Sequence, residues 1–412
     1  MKQIDTPKLI ATLGFIAIMF VFWRYAYPCA LAYHEQMQLF LWNCDYFMER
    51  LAEPGGMARY LAEMMVQHSN NLMLGALLVT LLMTIIQQLT WLLLRRWGCK
   101  DTVKNYLLSF LSPLVVWALM GDMDVMTTLP VAVALTLGMM VLAPQIPVWT
   151  VCYSLFIAVV GYWIAGPMAV VGVVCIMARL AIRSEKGCRP LLAMLTVTVV
   201  GVAVVWGSCC VLPYSVSRII RGIDYYRDPT VFLPRCWYTS NVYQQLDYSM
   251  LVRQQEWEDI ISKASNGIPV ATASVAAVKL AQWKTGRIND AEIQNFISTY
   301  SKLDHPVNIC MKNDLFFHLG LVNASRRYAF EFKQLIGNNN QSGRIIKRLA
   351  ETELVSGHYK LARKYLYILR DATYYRKWAE KILPLTYNAK LVEAHPLYGP
   401  LSKSFPEKDY IY

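Results

Sequence analysis

Charge is scarce in this sequence. Only 17% of the 412 residues are charged, against roughly 25% in soluble domains, and the deficit falls on one half. Residues 1–213 hold 13 Lys and Arg with 10 Asp and Glu, whereas residues 214–412 hold 27 with 18. The net charge of +12 therefore splits into +3 and +9. Ionisable residues are missing from the middle of the apolar runs, Arg24 and Arg179 lying near run ends, which disfavours a proton- or ion-coupled transporter. HExxH, GxSxG, P-loop and dinucleotide patterns are absent, so zinc peptidase, hydrolase and nucleotide-driven pump carry little weight. The 10 cysteines form no CxxC and no zinc spacing, although a disulfide among Cys29, Cys44, Cys236 and Cys310 is open in an oxidising space. The small residues that precede a signal-peptide cut are also missing. Tyr25, Tyr27 and Pro28 crowd that place, so the first apolar run is expected to remain as an uncleaved span.

What is present is apolar sequence in seven runs, about Leu9–Tyr27, Leu72–Leu94, Tyr106–Met120, Val125–Ala143, Val148–Trp163, Gly166–Ile182 and Leu191–Leu212. Each approaches the ~30 Å of a bilayer core as a helix, and Ala165-Gly166-Pro167 divides the fifth from the sixth. Three basic clusters alternate along them: Lys2 and Lys8; Arg95, Arg96, Lys100 and Lys104; Arg179, Arg183, Lys186 and Arg189. The positive-inside rule then puts the amino terminus in the cytoplasm. The 28–71 loop, the Gly121-Asp122-Met123-Asp124 turn and residues 214–412 fall outside. The expected architecture is all-α: a polytopic bundle of about seven spans over 1–213, with two amphipathic helices in the 28–71 loop, then a soluble helical-repeat domain over 214–412.

The loop is the most chemically loaded part of the membrane half. A helix through His34–Leu51 places Met37, Phe40, Leu41, Cys44, Phe47, Met48 and Leu51 on one face. Glu35, Gln38, Asp45 and Glu49 fall on the other, with Trp42. Pro54-Gly55-Gly56 breaks it, and a second helix follows over Met57–His68. Surface helices that adhere to lipid carry Lys and Arg on the polar face; this one carries carboxylates, which makes Glu35, Asp45 and Glu49 candidate catalytic residues. Asp122 and Asp124 form a second acidic pair. Just after the last run, Arg218 and Arg221 are placed to clamp a phosphate at the membrane surface, or to contact headgroups.

From about Asn241 the chain reads as consecutive helices. Gly286, Gly320 and Gly357 are spaced by 34 and 37 residues, each followed five positions later by a small residue, Ala291, Ser325 or Ala362. That period and pattern is tetratricopeptide-like, clearest in the last copy. Residues 326–390 carry 14 Lys and Arg against 5 Asp and Glu. With nucleic acid excluded by the compartment, anionic headgroups, an acidic glycan or an acidic protein face remain as partners.

The segments HEQMQLFLWNCDYFMERLAEPGGMARYLAEMM, LMGDMD and GYWIAGP resemble an uncharacterised family of multi-pass membrane proteins from the Bacteroidetes, with helical, repeat-like carboxyl-terminal halves. The resemblance implies an inner membrane facing a periplasm, and relatives that continue past Tyr412. A second resemblance, of architecture, is to lipid-linked-sugar glycosyltransferases of the GT-C class. These have a seven-span module, acidic residues in the first and second outer loops, and in some members appended tetratricopeptide repeats. Unlike that pattern, this chain has no aspartate directly at the end of the first span.

Two functions follow as expectations. In the first, an envelope glycosyltransferase uses a polyprenyl-phosphate-linked sugar: a carboxylate among Glu35, Asp45, Glu49, Asp122 and Asp124 acts as base, or a pair of them holds a divalent cation, and Arg218 and Arg221 take the phosphate. In the second, the membrane half anchors a non-enzymatic scaffold whose repeats bind a protein partner.

Overall fold

Inside a bilayer every backbone polar group must be satisfied within its own segment, and the apolar runs of this chain meet that condition as helices. The computed structural model describes residues 6–183, 188–227, 240–267, 269–300, 306–337 and 340–404. Lys2, Lys186 and Cys236 lie outside the described residues, as does the side chain of Arg189. The chain divides into two compact units. One is Met1–Ala26 with Asn43–Tyr238, and the other is Tyr27–Trp42 with Thr239–Tyr412.

The first unit opens with α1 (Thr6–Val21), which runs on through a π-turn to Ala26. Next in the chain is α2 (Pro28–Met37), which belongs to the second unit. The first unit resumes with α3 (Cys44–Leu51), α4 (Gly56–Val66) and α5 (Leu72–Arg96). Then come α6 (Val103–Leu108), α7 (Leu111–Leu119), α8 (Thr128–Leu142) and α9 (Pro147–Phe156), the last continuing to Ala165. After these are α10 (Pro167–Arg183), α11 (Cys188–Val211) and the short α12 (Val216–Arg221). Among the described residues four helices are long and apolar enough to cross a membrane: Thr6–Ala26, Leu72–Arg96, Pro147–Ala165 and Leu192–Val211. Val103–Leu119 and Thr128–Leu142 are apolar but shorter. The break between α9 and α10 falls at Gly166, whose φ of +64° an L-residue with a side chain rarely adopts.

One sequence expectation fails in the loop. A single helix was expected through His34–Leu51, but α2 stops at Met37, Gln38 is extended, and helix resumes only at Cys44. The reason lies in packing. Leu39 and Leu41, two apart, both join the apolar core of the second unit, a spacing that fits extended chain and not a helix face. Trp42 N donates to the Asp371 carbonyl at 2.9 Å, which holds the strand-like stretch in place. Asn43 then starts α3 by accepting the Tyr46 N–H at 2.7 Å, a side-chain N-cap.

The second unit continues with α13 (Ser240–Gln254), α14 (Trp257–Ser265), α15 (Thr272–Lys284), α16 (Asp290–Thr299), α17 (Pro306–His318) and α18 (Val322–Leu335). It closes with α19 (Gly343–Val355), α20 (Tyr359–Arg370), α21 (Arg376–Ile382), α22 (Ala389–Glu393) and α23 (Tyr398–Ser404). No strand occurs among the described residues; the one β-bridge outside strands joins Val125 and Tyr226. From α17 to α21 each helix packs on the next. Gly286, Gly320 and Gly357 all end helices at φ between +73° and +80°, the left-handed C-terminal position that glycine favours. Ser325 and Ala362 are fully buried at the following helix contacts, whereas Ala291 is exposed. The repeat pattern is therefore better kept in its later copies.

Polar residues bind α2 into this unit. Arg253 Nη1 donates to Glu35 Oε2 at 2.6 Å, and Tyr375 OH to Glu35 Oε1 at 3.4 Å. Arg344 donates to Gln36 and to Asp314, and Arg348 Nη2 reaches the other oxygen of Asp314 at 2.9 Å. Although burial opposes it, the two guanidiniums hold the Asp314 carboxyl below the usual carboxylate range. The disulfide left open by the sequence does not form among the described residues: Cys29, Cys44 and Cys310 are free thiols. Burial pushes Cys29 up to about 11 and Cys310 up to about 12, so both stay protonated at neutral pH.

Candidate site: a buried ionic cluster

In the first unit, the chain that follows the last long helix is gripped by two loops. On one side is the second acidic turn. The Met126 N–H donates to the Tyr225 carbonyl at 2.9 Å and the Arg227 N–H to the Asp124 carbonyl at 2.6 Å. On the other side is the hinge between α3 and α4. Gly56 is obligatory there, because a Cβ would sit 1.9 Å from the Arg50 carbonyl oxygen. Gly55 donates its N–H to the Tyr162 carbonyl at 3.1 Å and lies against Gly166, where a side chain would crowd the backbone. Tyr225 closes this contact, its hydroxyl donating to the Ala165 carbonyl and accepting the Met168 N–H at 3.2 Å.

Between these elements lies a cluster of charged side chains that is almost wholly excluded from solvent. Arg59, 1% exposed, is its centre. Its Nε donates to Glu63 Oε1 at 3.0 Å, its Nη1 to Glu53 Oε2 at 2.9 Å, and Nη1 is 3.2 Å from Asp224 Oδ2. Arg50 Nε donates to Glu63 Oε2 at 2.9 Å, and Tyr46 OH donates to the same oxygen. Tyr214 OH donates to Glu53 Oε1 at 2.7 Å. Burial opposes the charge on Arg59, but Asp224, Glu63 and Glu53 outweigh it and hold the guanidinium charged.

Among the described residues three carboxylates face two guanidiniums, so the cluster as described carries one negative charge more than it neutralises. That excess rests on Asp224. It is 5% exposed, and its Oδ1 makes no hydrogen bond among the described residues. Burial pushes its carboxyl up to about 6, the attraction of Arg59 only partly offsetting the cost. A carboxylate in that range exchanges a proton near neutral pH and is suited to general base work. The Tyr214 hydroxyl, pushed up to about 12 by burial and by the Glu53 carboxylate, stays a donor.

Beneath the same segment opens an apolar groove of about 490 Å³ between α10 and α11, its mouth lined by Val216 and Ile220 of α12. Arg218 lies on the same short helix. Its guanidinium sits 5.1 Å from the Tyr214 ring centre, and its buried Nη2 makes no hydrogen bond among the described residues. Arg221 is half-buried at the end of α12.

The candidates from sequence fall in different places. Glu35 is in the second unit, bound to Arg253. Asp45 is exposed in the first turn of α3, and Glu49 is exposed with Arg50 at 3.4 Å. With the helix broken at Met37, Glu35 is separated from Asp45 and Glu49, which lie four apart on α3, and the stripe of all three does not form. Asp122 is buried and caps its own turn by accepting the Asp124 N–H at 3.1 Å. That pair does lie on the turn that holds Tyr225–Arg227, one residue beyond Asp224. Among the described residues no group of three or more His, Cys, Asp or Glu is placed to hold a metal ion. His68 Nδ1 is spent on the Met64 carbonyl at 2.9 Å.

Sequence reading missed Glu53, Glu63, Arg59 and Asp224. Arg59 and Glu63 are four apart on one helix, a spacing that signals an ion pair. Nothing in the sequence joins them to Asp224.

The raised carboxyl of Asp224 has a measurable consequence. Between about pH 4 and pH 6 the folded protein holds a proton that the unfolded chain has released, so the stability this group contributes is full at low pH and falls as pH rises through about 6. Asp224→Asn removes the titration. Relative to that variant, the wild-type melting temperature in detergent should decline between about pH 4 and pH 7; a pH-independent difference would contradict the assignment.

Neither a curated protein nor a solved structure matches this chain. A model of a family of unknown function, DUF6057, matches residues 2–412, and the chain belongs to that family.

Proposed function

We propose that the protein is an envelope glycosyltransferase of GT-C-like build, embedded in a bacterial inner membrane by seven spans and using a polyprenyl-phosphate-linked sugar. The observation that carries this reading is the pairing, on one short helix, of an apolar groove with a guanidinium donor in need of an acceptor. A lipid tail fits the groove lined by Val216 and Ile220, and its phosphate reaches Arg218 and Arg221. Asp224 takes the proton of the acceptor hydroxyl as that oxygen bonds to the anomeric carbon. The bond from that carbon to the phosphate oxygen breaks, and the arginines stabilise the phosphate that departs. Asp122 and Asp124, on the adjoining turn, steady the donor or a divalent cation beside it. Glu35, Asp45 and Glu49 have no part in this reading.

The cytoplasmic amino terminus and periplasmic residues 214–412 are supported by the alternation of the basic clusters. A tetratricopeptide-like solenoid is supported by the three helix-ending glycines and by buried Ser325 and Ala362. The alternative of an anchored scaffold has less behind it. Leu39 and Leu41, in the chain's own extended stretch, already join the apolar core of the repeat-like helices.

Reconstituted in vesicles with a panel of polyprenyl-phosphate hexoses, the protein should release polyprenyl phosphate. Asp224→Asn should slow release by about 10²–10⁴-fold, the usual worth of a positioned base, while Asp45→Asn and Glu49→Gln leave it unchanged. No release across the panel, or full release by Asp224→Asn, sinks the reading. Orientation has its own test. Alkaline phosphatase fused after Tyr412 should be active and after Lys100 inactive; the reverse would invert every compartment named.

A further inference from the structure

The second unit treats its cations in two ways. Inside, Arg253, Arg344 and Arg348 each meet a carboxylate. On the surface of its last helices they meet none. Residues 359–391 carry eight Lys and Arg against two Asp and Glu, and none of the eight forms an ion pair among the described residues. Helix propensity alone does not require such an excess, and like charges on one face repel.

Aromatic rings lie among these cations. Tyr367 on α20 is 42% exposed and Tyr387, in the turn before α22, is 64% exposed, and their hydroxyls touch at 3.2 Å. Arg370 lies over the Tyr367 ring at 5.1 Å, and Arg363 over the Tyr387 ring at 4.7 Å. Arg363 is further fixed by donating Nη1 to the Thr386 carbonyl at 3.0 Å. The hydroxyl contact and the two stacked guanidiniums therefore hold an exposed pair of phenol rings flanked by forked cations, with Lys360, Lys364 and Lys390 exposed nearby in sequence. Burial does not explain the rings, since the apolar core beneath α20 is made by Ala362, Leu366 and Leu369.

We propose that this platform binds an acidic glycan through sugars bearing carboxylates. An acidic peptide would use the cations and leave both rings idle. A uronic acid residue uses both: its C–H face lies on a phenol ring, which is amphipathic and loses little freedom on contact, and its carboxylate matches the guanidinium fork. The repetition of charge along such a chain suits a row of cations that lack carboxylate partners among the described residues, and makes binding salt-dependent.

The test uses the full-length protein in neutral-lipid nanodiscs, titrated with oligogalacturonate, poly-L-glutamate and neutral dextran. Oligogalacturonate should bind and dextran should not. Tyr367→Ala with Tyr387→Ala should weaken oligogalacturonate by about tenfold or more, the scale expected for losing two ring contacts, with poly-L-glutamate affected less than about twofold. Arg363→Glu with Arg370→Glu should abolish binding of both polyanions. The proposal is overturned if oligogalacturonate binds no better than dextran. It is equally overturned if the tyrosine pair is indifferent, which would mark the face as one for acidic protein, or if anionic vesicles bind while oligogalacturonate does not.

Discussion

A guanidinium that is 1% exposed keeps its charge at a high cost unless carboxylates surround it, and Arg59 meets that requirement by drawing together residues from three parts of the chain. Glu63 comes from its own helix, Glu53 from the preceding hinge, and Asp224 from the segment beyond the last long helix. Taking ions out of water costs several kcal/mol each, recovered only if geometry and hydrogen bonding are good. The Pro54-Gly55-Gly56 hinge exists to supply that geometry. It lets α4 turn back so that Arg50 and Arg59 share Glu63, and it brings Gly55 against Gly166 at the α9–α10 turn. The position of Asp224, and with it the path of α12 over the apolar groove, follows from this cluster.

The surplus of one carboxylate separates the cluster from a simple structural lock. A lock gains nothing from an unneutralised buried charge, whereas a site that must accept a proton does. Asp224 combines a raised carboxyl, an oxygen without a partner among the described residues and a place on the segment that carries the α12 arginines. Val216 and Ile220, two residues of the groove's lining, lie on that same segment, while the rest of the lining comes chiefly from α10 and α11.

Much of the fold was legible because its causes are local. The apolar runs fold mainly as helices, four of them among the described residues long enough to cross a membrane, and the breaks at Gly55 and Gly166 stand where Pro and Gly had marked them. The failure at Gln38–Asn43 was not local. Met37, Phe40, Leu41 and Cys44 fit a helical face by spacing, but the burial available to Leu39 and Leu41 in a separate unit overrode that periodicity. Asn43 before Cys44 was a readable N-cap signal that would have split the helix correctly. The candidate site was half legible. Arg218, Arg221, Asp122 and Asp124 were singled out by their position next to apolar runs, whereas Asp224 sits 165 residues from Arg59 and no pattern of spacing links the two.

The account stands on Arg59 as the charge that gathers the cluster, and removing that charge alone tests it. Arg59→Met should lower the stability of the purified protein in detergent by about 3–5 kcal/mol, because it strands buried carboxylates. Adding Asp224→Asn to that variant should restore part of the loss, since that residue then holds no buried charge, while Glu63 keeps Arg50 as its partner. An Arg59→Met protein that unfolds like wild type, or a double variant less stable than the single one, would contradict this role for Arg59.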